Sequence, residues 1–228
     1  MLAQIVAGGA HEIAHVLDEE NVDGVEIPVG KGLDRSWFAD RQVSVILIPM
    51  KPRETLEAFD VFLEERGLRL DAVVIGGAAL NLLGVVARLT KDCDILCPQI
   101  PDDIGKAAKE FAAARRLAGE VIADDWLNNG PASLVPQLAA DWRDHLRIVF
   151  SGRALRLECP GRDDFLRSKL FALCDRGLDL GDCLALAPTR EELTNLLPWL
   201  DQQDGNPGWP AHVHDTLSDL GRRLGHGV

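Results

Sequence analysis

The run AVVIGGAALNLLGVVARLTKDCDILC, residues 72–97, holds two short apolar stretches on either side of a helix-length segment, and its reading decides the fold. AVVIGG (72–77) reads as a buried strand running into glycines, ALNLLGVV (79–86) as a helix and DCDILC (92–97) as a second strand. Side chains on a strand alternate between faces. Asp92 and Asp94 are therefore expected on one side, roughly 6–7 Å apart, with Cys93, Ile95 and Cys97 on the opposite, apolar side. Carboxylates in such a place are costly to desolvate unless something positive meets them.

Outward from this run the pattern stays regular. Upstream, MKPRETLEAFDVFLEERG (50–67) is a helix with Leu56, Phe59, Phe62 and Leu63 on one face and Gly67 as its stop. Downstream of Pro98, DDIGKAAKEFAAARRLAG (102–119) is a helix with acids at its start and arginines near its end, matching the helix dipole. A turn around DDWLNNGP (124–131) leads to a helix expected through 132–140, and LRIVF (146–150) with ALRLE (154–158) reads as a hairpin. The remainder is helical: 163–177, 180–187, a segment from Thr189 that opens with a Thr189–Glu192 capping box, and 210–224. The expected architecture is α+β: a small mixed sheet flanked by helices, with a helical C-terminal part. The expected division is a core over 50–160 and a helical region over 161–228. Residues 1–49 differ, with eight acidic and three basic residues and little helical period, although VSVILIP (43–49) suits a strand. They are expected to be an N-terminal extension, or to precede a true start at Met50.

Composition narrows the classes. No run approaches the ~18 consecutive apolar residues of a membrane span, and MLAQIVAGGAHEIAH is not a signal peptide, so a cytoplasmic protein without a membrane partner is expected. The five scattered cysteines imply free thiols rather than a disulfide framework. A net charge of −12 argues against broad non-specific nucleic-acid binding. Locally, seven basic residues face four acidic ones between 143 and 169, which suits either a solvated arginine-rich face or an anion site. HEIAH (11–15) matches the zinc-peptidase pattern, with His11 and His15 as ligands. The third ligand is missing nearby, and Glu26 is only a distant candidate.

The two aspartates carry the chemistry. Parallel carboxylates on a rigid strand can share a divalent cation, and hard oxygen donors favour Mg²⁺ or Mn²⁺ over zinc. The alternative is that DCD is an exposed strand end. Gly76 and Gly77 fall where strand gives way to helix, a place where backbone N–H groups can approach a phosphate, or where a plain tight turn is made. Arg88 and Thr90 stand just before the acids. A phosphate cradle beside a carboxylate pair is what phosphoryl or nucleotidyl transfer requires.

GGAALNLLGVVARLTKDCDIL, with Gly76, Gly77, Arg88, Thr90, Asp92 and Asp94 at the motif positions, resembles the first motif of the nucleotidyltransferase superfamily. It is most similar to the abortive-infection-type (AbiEii-like) toxin branch and related bacterial proteins. DDFLRSKLFALCDRGLDLGDCLAL resembles that branch's later helix, with Lys169, Arg176, Asp179 and Asp182 in place, and WLN (126–128) resembles a further segment. The likeness covers roughly 50–190. It implies transfer of a nucleoside monophosphate from a nucleoside triphosphate to an acceptor, whether RNA, protein or a small molecule. Asp92 and Asp94 would hold Mg²⁺ or Mn²⁺, Gly76 and Gly77 would contact the triphosphate together with Arg88 and Thr90, and Lys169 would be a phosphate contact. Arg176, Asp179 and Asp182 would support the site or form a helix-end salt-bridge set. The branch further implies a toxin with a cognate antitoxin. Many relatives carry a third catalytic carboxylate on a later strand. Here Glu158 is a weak candidate and Asp144 a weaker one, so a non-catalytic or regulatory member on the same scaffold is the alternative.

Overall fold

The computed structural model describes residues 51–226. The extension expected over 1–49, the strand expected at 43–49 and the HEIAH motif lie outside them.

Helix α1 (Pro52–Glu64) opens on Pro52, whose missing N–H costs nothing in a first turn. Leu56, Phe59 and Leu63 form its fully buried stripe. Its end is a Schellman turn: Leu68 N–H bonds Leu63 C=O and Gly67 N–H bonds Glu64 C=O, with Gly67 at φ +66°. Strand β1 (Leu70–Ile75) then leads directly into α2 (Gly76–Leu82). The helix expected over 79–86 is thus displaced towards the N-terminus. It begins on the glycines themselves, and Gly84, at φ +73°, closes a second Schellman turn that stops it early. β2 (Cys93–Cys97) and α3 (Asp102–Leu117) follow. The helix expected over 132–140 is instead a 3₁₀ segment at Gly130–Gln137, with Pro136 inside it unable to sustain α-helical bonding.

Five strands form one mixed sheet in the order β3-β2-β1-β5-β4, with β3 at Leu127–Asn128, β4 at Arg147–Ser151 and β5 at Leu155–Cys159. The β1–β2 and β4–β5 pairs are antiparallel; β1–β5 and β2–β3 are parallel. After β5 every element is a helix: α4 (Arg162–Arg176), α5 (Leu180–Leu186), α6 (Arg190–Leu200) and α7 (Trp209–Arg223). The α6 capping box forms as read, with Glu192 N–H on the Thr189 hydroxyl and Thr189 N–H on the Glu192 carboxylate.

One face of the sheet, bearing Leu70, Ala72, Val74, Leu155 and Leu157, is buried throughout. Phe59 of α1, Phe111 of α3 and Trp126 just before β3 meet there at centroid separations of 5.1–5.6 Å. Trp126 also donates its indole N–H to Ala108 C=O, so the lead-in to β3 is fixed to α3. Residues paired across strands share a face, which puts Asp71, Val73, Ile75, Arg156, Glu158 and Asp94 together on the other side. Two expectations about β2 fail. Asp92 precedes the strand, so only Asp94 projects from it. Leu96 is an extra residue between the Val74–Ile95 and Val73–Cys97 pairs, a bulge that flips Cys97 onto the Asp94 face instead of leaving it with Ile95.

Candidate functional site

Asp94 pairs with Ile75 at the last position of β1, where the chain turns into α2. Its carboxylate rests on the Gly76 backbone: a Cβ there would stand 2.6 Å from Asp94 Oδ2, and Gly76 has φ +76°. Both the space and the left-handed backbone require glycine. Gly77 is roofed by the Arg88 guanidinium and the Thr90 methyl, which a Cβ would meet at 3.2 and 3.0 Å.

The loop between α2 and β2 is braced from within. Asn81 donates to the carbonyls of Val86 and Arg88, and the buried Thr90 hydroxyl donates to Asp92 C=O at 2.9 Å. Arg88 forks onto Asp182 with three bonds of 2.8–3.0 Å. Lys169, on the buried face of α4, bonds the same carboxylate at 2.8 Å and Asp179 at 3.1 Å. Asp182 is 1% exposed, and it ties a loop before β2 to two helices after the sheet. Burial alone would raise its pKa, but the hydrogen bonds from Lys169 and Arg88 outweigh burial and hold it below the ordinary value. Asp179 sits at φ +65°, unusual outside glycine, and it points at Lys169 rather than capping α5.

Asp92 and Asp94 differ from Asp182 in one respect. Among the described residues neither forms a salt bridge. Burial pushes Asp94 up to about 6, and the charge of Asp92 adds to the rise. The Asn128 amide and the charge of Lys169 oppose it. Asp92 is raised as well, by burial and then by Asp125. The positive partners that the sequence demanded are therefore only neighbouring charges, Lys169 for Asp94 and Lys91 and Arg88 for Asp92, and among the described residues none of them pairs with either acid. Two oxygen-donor acids with unmet charge suit a hard divalent cation. No third His, Cys, Asp or Glu joins them in a metal-holding group among the described residues. Mg²⁺ sites commonly use one or two carboxylates and complete their shell with water and substrate phosphates, so the donor set fits.

Residues 54–184 match the model of a family described as a nucleotidyltransferase of unknown function, DUF6036. The chain belongs to that family. No curated protein and no solved structure matches it. Membership supports nucleotidyl transfer, with a nucleotide as substrate, in its general form. It covers the β1–α2–β2 unit and reaches α5, so Gly76, Gly77, Arg88, Thr90, Asp92, Asp94, Lys169, Asp179 and Asp182 all fall inside the matched span of this DUF6036 member.

The structure brings most of the sequence-predicted set together, with three exceptions. Glu158 shares the face of Asp94 but pairs with Val73, across β1 and one alternation back. It lies two strand spacings away, about 10 Å laterally, too far to share a cation with Asp94. It is bonded to Arg156 at 2.7 Å and lines a small cavity of about 130 Å³ with Asp71, Val73 and Cys97. Arg176 turns outward to Asp175 at 3.5 Å, away from the Lys169–Asp182 cluster. Asp144 lies in the short 3₁₀ turn Trp142–His145, off the sheet strands. Sequence reasoning passed over Asn128, which pairs with Asp94 across β2–β3. WLN was visible as a segment, but a two-residue strand leaves no period from which its register can be read. No helix of the described residues is long and apolar enough to cross a membrane.

Proposed function

We propose that this chain transfers a nucleoside monophosphate from a nucleoside triphosphate to an acceptor, using Mg²⁺ or Mn²⁺ held by Asp92 and Asp94. The observation that carries this reading is the pair of acids without salt-bridge partners, Asp94 seated on Gly76 at the end of β1 and Lys169 close enough to act on it. Asp92 and Asp94 would hold the cation, which would supply electrostatic stabilisation of the charge that develops during transfer.

The chain's own residues have separate tasks in this reading. Gly76 leaves room for the Asp94 carboxylate beside the backbone. Thr90 fixes the backbone at Asp92. Asp182 holds Arg88 and Lys169 in place, and the Lys169 ammonium, with two of its three donors on Asp179 and Asp182, would offer the third to the triphosphate's phosphates. The acceptor's nucleophilic atom forms the new bond to the α-phosphorus, and pyrophosphate leaves. The acceptor in this reading is an RNA, a protein or a small molecule. The motif's similarity to the abortive-infection-type branch supports a toxin role with an antitoxin partner, which co-expression with each neighbouring gene would test by rescue of growth.

Among the described residues no third carboxylate joins the pair in a metal-holding group, which favours a second reading, a nucleotide-binding member without transfer activity. Incubation with each labelled nucleoside triphosphate, Mg²⁺ and cell extract separates the two. Label should pass to an acceptor with wild type and not with Asp92→Ala or Asp94→Ala. Equal labelling by wild type and both variants would reject the transferase reading.

A further inference from the structure

We infer that Asn128 is a positioning residue for Asp94, a pinned amide that aims the carboxylate at the cation; the inference rests on the metal-dependent reading above. Asn128 and Asp94 are directly paired across the parallel β2–β3 ladder, so their side chains leave the sheet on one face. The Asn128 carbonyl oxygen accepts Gly130 N–H at 2.7 Å. That bond settles the orientation of the amide: its NH₂ end donates to the Asp125 carbonyl at 3.4 Å and is left on the face it shares with the Asp94 carboxylate. Gly130 is needed for this closeness, since a Cβ there would stand 2.8 Å from the Asn128 oxygen. Asp94 thus stands between the Gly76 backbone and a neutral amide donor that does not cancel its charge. A lysine or arginine in the same place would form an ion pair and compete with the cation. The amide orients the acid while leaving its charge available.

The next residue supplies a contrast. Asn129 donates to the carbonyls of Ile95 and Pro98 at 2.9 and 3.0 Å and accepts Ile100 N–H at 2.7 Å. Every one of these partners is backbone, at the middle of β2 and in the segment just after it. Asn129 therefore braces the strand, whereas the Asn128 side chain shares a face with an acid of the site.

The test uses the full chain and Mn²⁺ alone, with free Mn²⁺ followed by electron paramagnetic resonance and folding by thermal melting. Asn128→Ala is expected to weaken Mn²⁺ binding about tenfold, as loss of a ligand-orienting partner does, with a small change in melting temperature. Gly130→Ala leaves the amide chemically intact but displaces it, and is expected to weaken Mn²⁺ binding in the same direction. Asn129→Ala is expected to lower the melting temperature while the folded protein keeps its Mn²⁺ affinity. Wild-type affinity in both Asn128→Ala and Gly130→Ala overturns the inference and leaves the metal site standing. So does equal weakening in Asn128→Ala and Asn129→Ala in step with lost stability. Failure of wild type to bind Mn²⁺ overturns the metal reading itself, and this inference with it.

Discussion

Gly76 and Asp94 meet in a contact that only glycine permits, the acid's Oδ2 lying where a Cβ on residue 76 would have to be. Gly76→Ala meets two penalties. The left-handed backbone at φ +76° costs an L-residue about 1–2 kcal/mol, and the new methyl drives Asp94 out of position. The expected outcome is a modestly destabilised protein whose nucleotide transfer falls about a hundredfold, measured by label incorporation. A folded Gly76→Ala protein with wild-type transfer would show that the seat of Asp94 on Gly76 is irrelevant to the chemistry.

Asp94 makes stability depend on pH in a direction opposite to most carboxylates. Its folded value is about 6 against an ordinary 3.8. Between these values the unfolded chain has already lost the proton that the folded chain keeps, so stability falls as pH rises from 3.8 to about 6. Without divalent cations, Asp94→Asn is expected to be more stable than wild type above pH 6, by on the order of 1–2 kcal/mol. Melting temperatures against pH in EDTA would show it. Added Mn²⁺ should remove the difference by stabilising wild type alone. An Asp94→Asn protein less stable than wild type at pH 8 in EDTA would contradict the account.

Asp182 serves two cations, and its loss strands both. Lys169 has a side chain only 8% exposed, so removing its main acceptor leaves a buried charge with Asp179 alone. Asp182→Ala is expected to cost about 3 kcal/mol in urea unfolding. Arg88→Ala, whose side chain is half exposed, should cost less, about 1 kcal/mol or below. The reverse order would mean that the clamp is held from the Arg88 side.

Glu192 combines a helix cap with an ion pair, receiving Thr189 N–H at 2.7 Å and Arg162 Nε at 2.6 Å. The Arg162 hydrogen bond, before any other cause, lowers its carboxyl from 4.5 to about 2. The stability it contributes is present above 4.5 and is lost as pH falls towards 2. Thr189→Ala should cost about 1 kcal/mol at neutral pH, the usual worth of an N-cap. Glu192→Gln should flatten the acid limb of the melting curve; an unchanged limb would rule out Glu192 as its source.

The amino-acid sequence alone determined those features whose causes lie within a few residues of each other. The α1 stripe, the Gly67 stop, the strand ending in two glycines and the Thr189–Glu192 cap follow from period, missing side chains and short-range hydrogen bonding. The α+β class follows from the order in which such elements alternate. Even locally the reading slipped where two glycines could either end a strand or begin a helix, and where a proline turned an expected helix into a 3₁₀ segment.

Tertiary structure decided the rest, because contact between distant residues depends on register and on how elements pack. One extra residue in β2, Leu96, changes which face Cys97 occupies, and nothing local announces it. Glu158 has the right chemistry for a third catalytic acid, but pairing with Val73 rather than a residue nearer Ile75 carries it away from Asp94. Arg88 and Asp182 stand 94 positions apart, so only the docking of α5 could turn an arginine in a nucleotide motif into half of a buried clamp. Asn128 entered the site on a strand of two residues, too short to have a period at all.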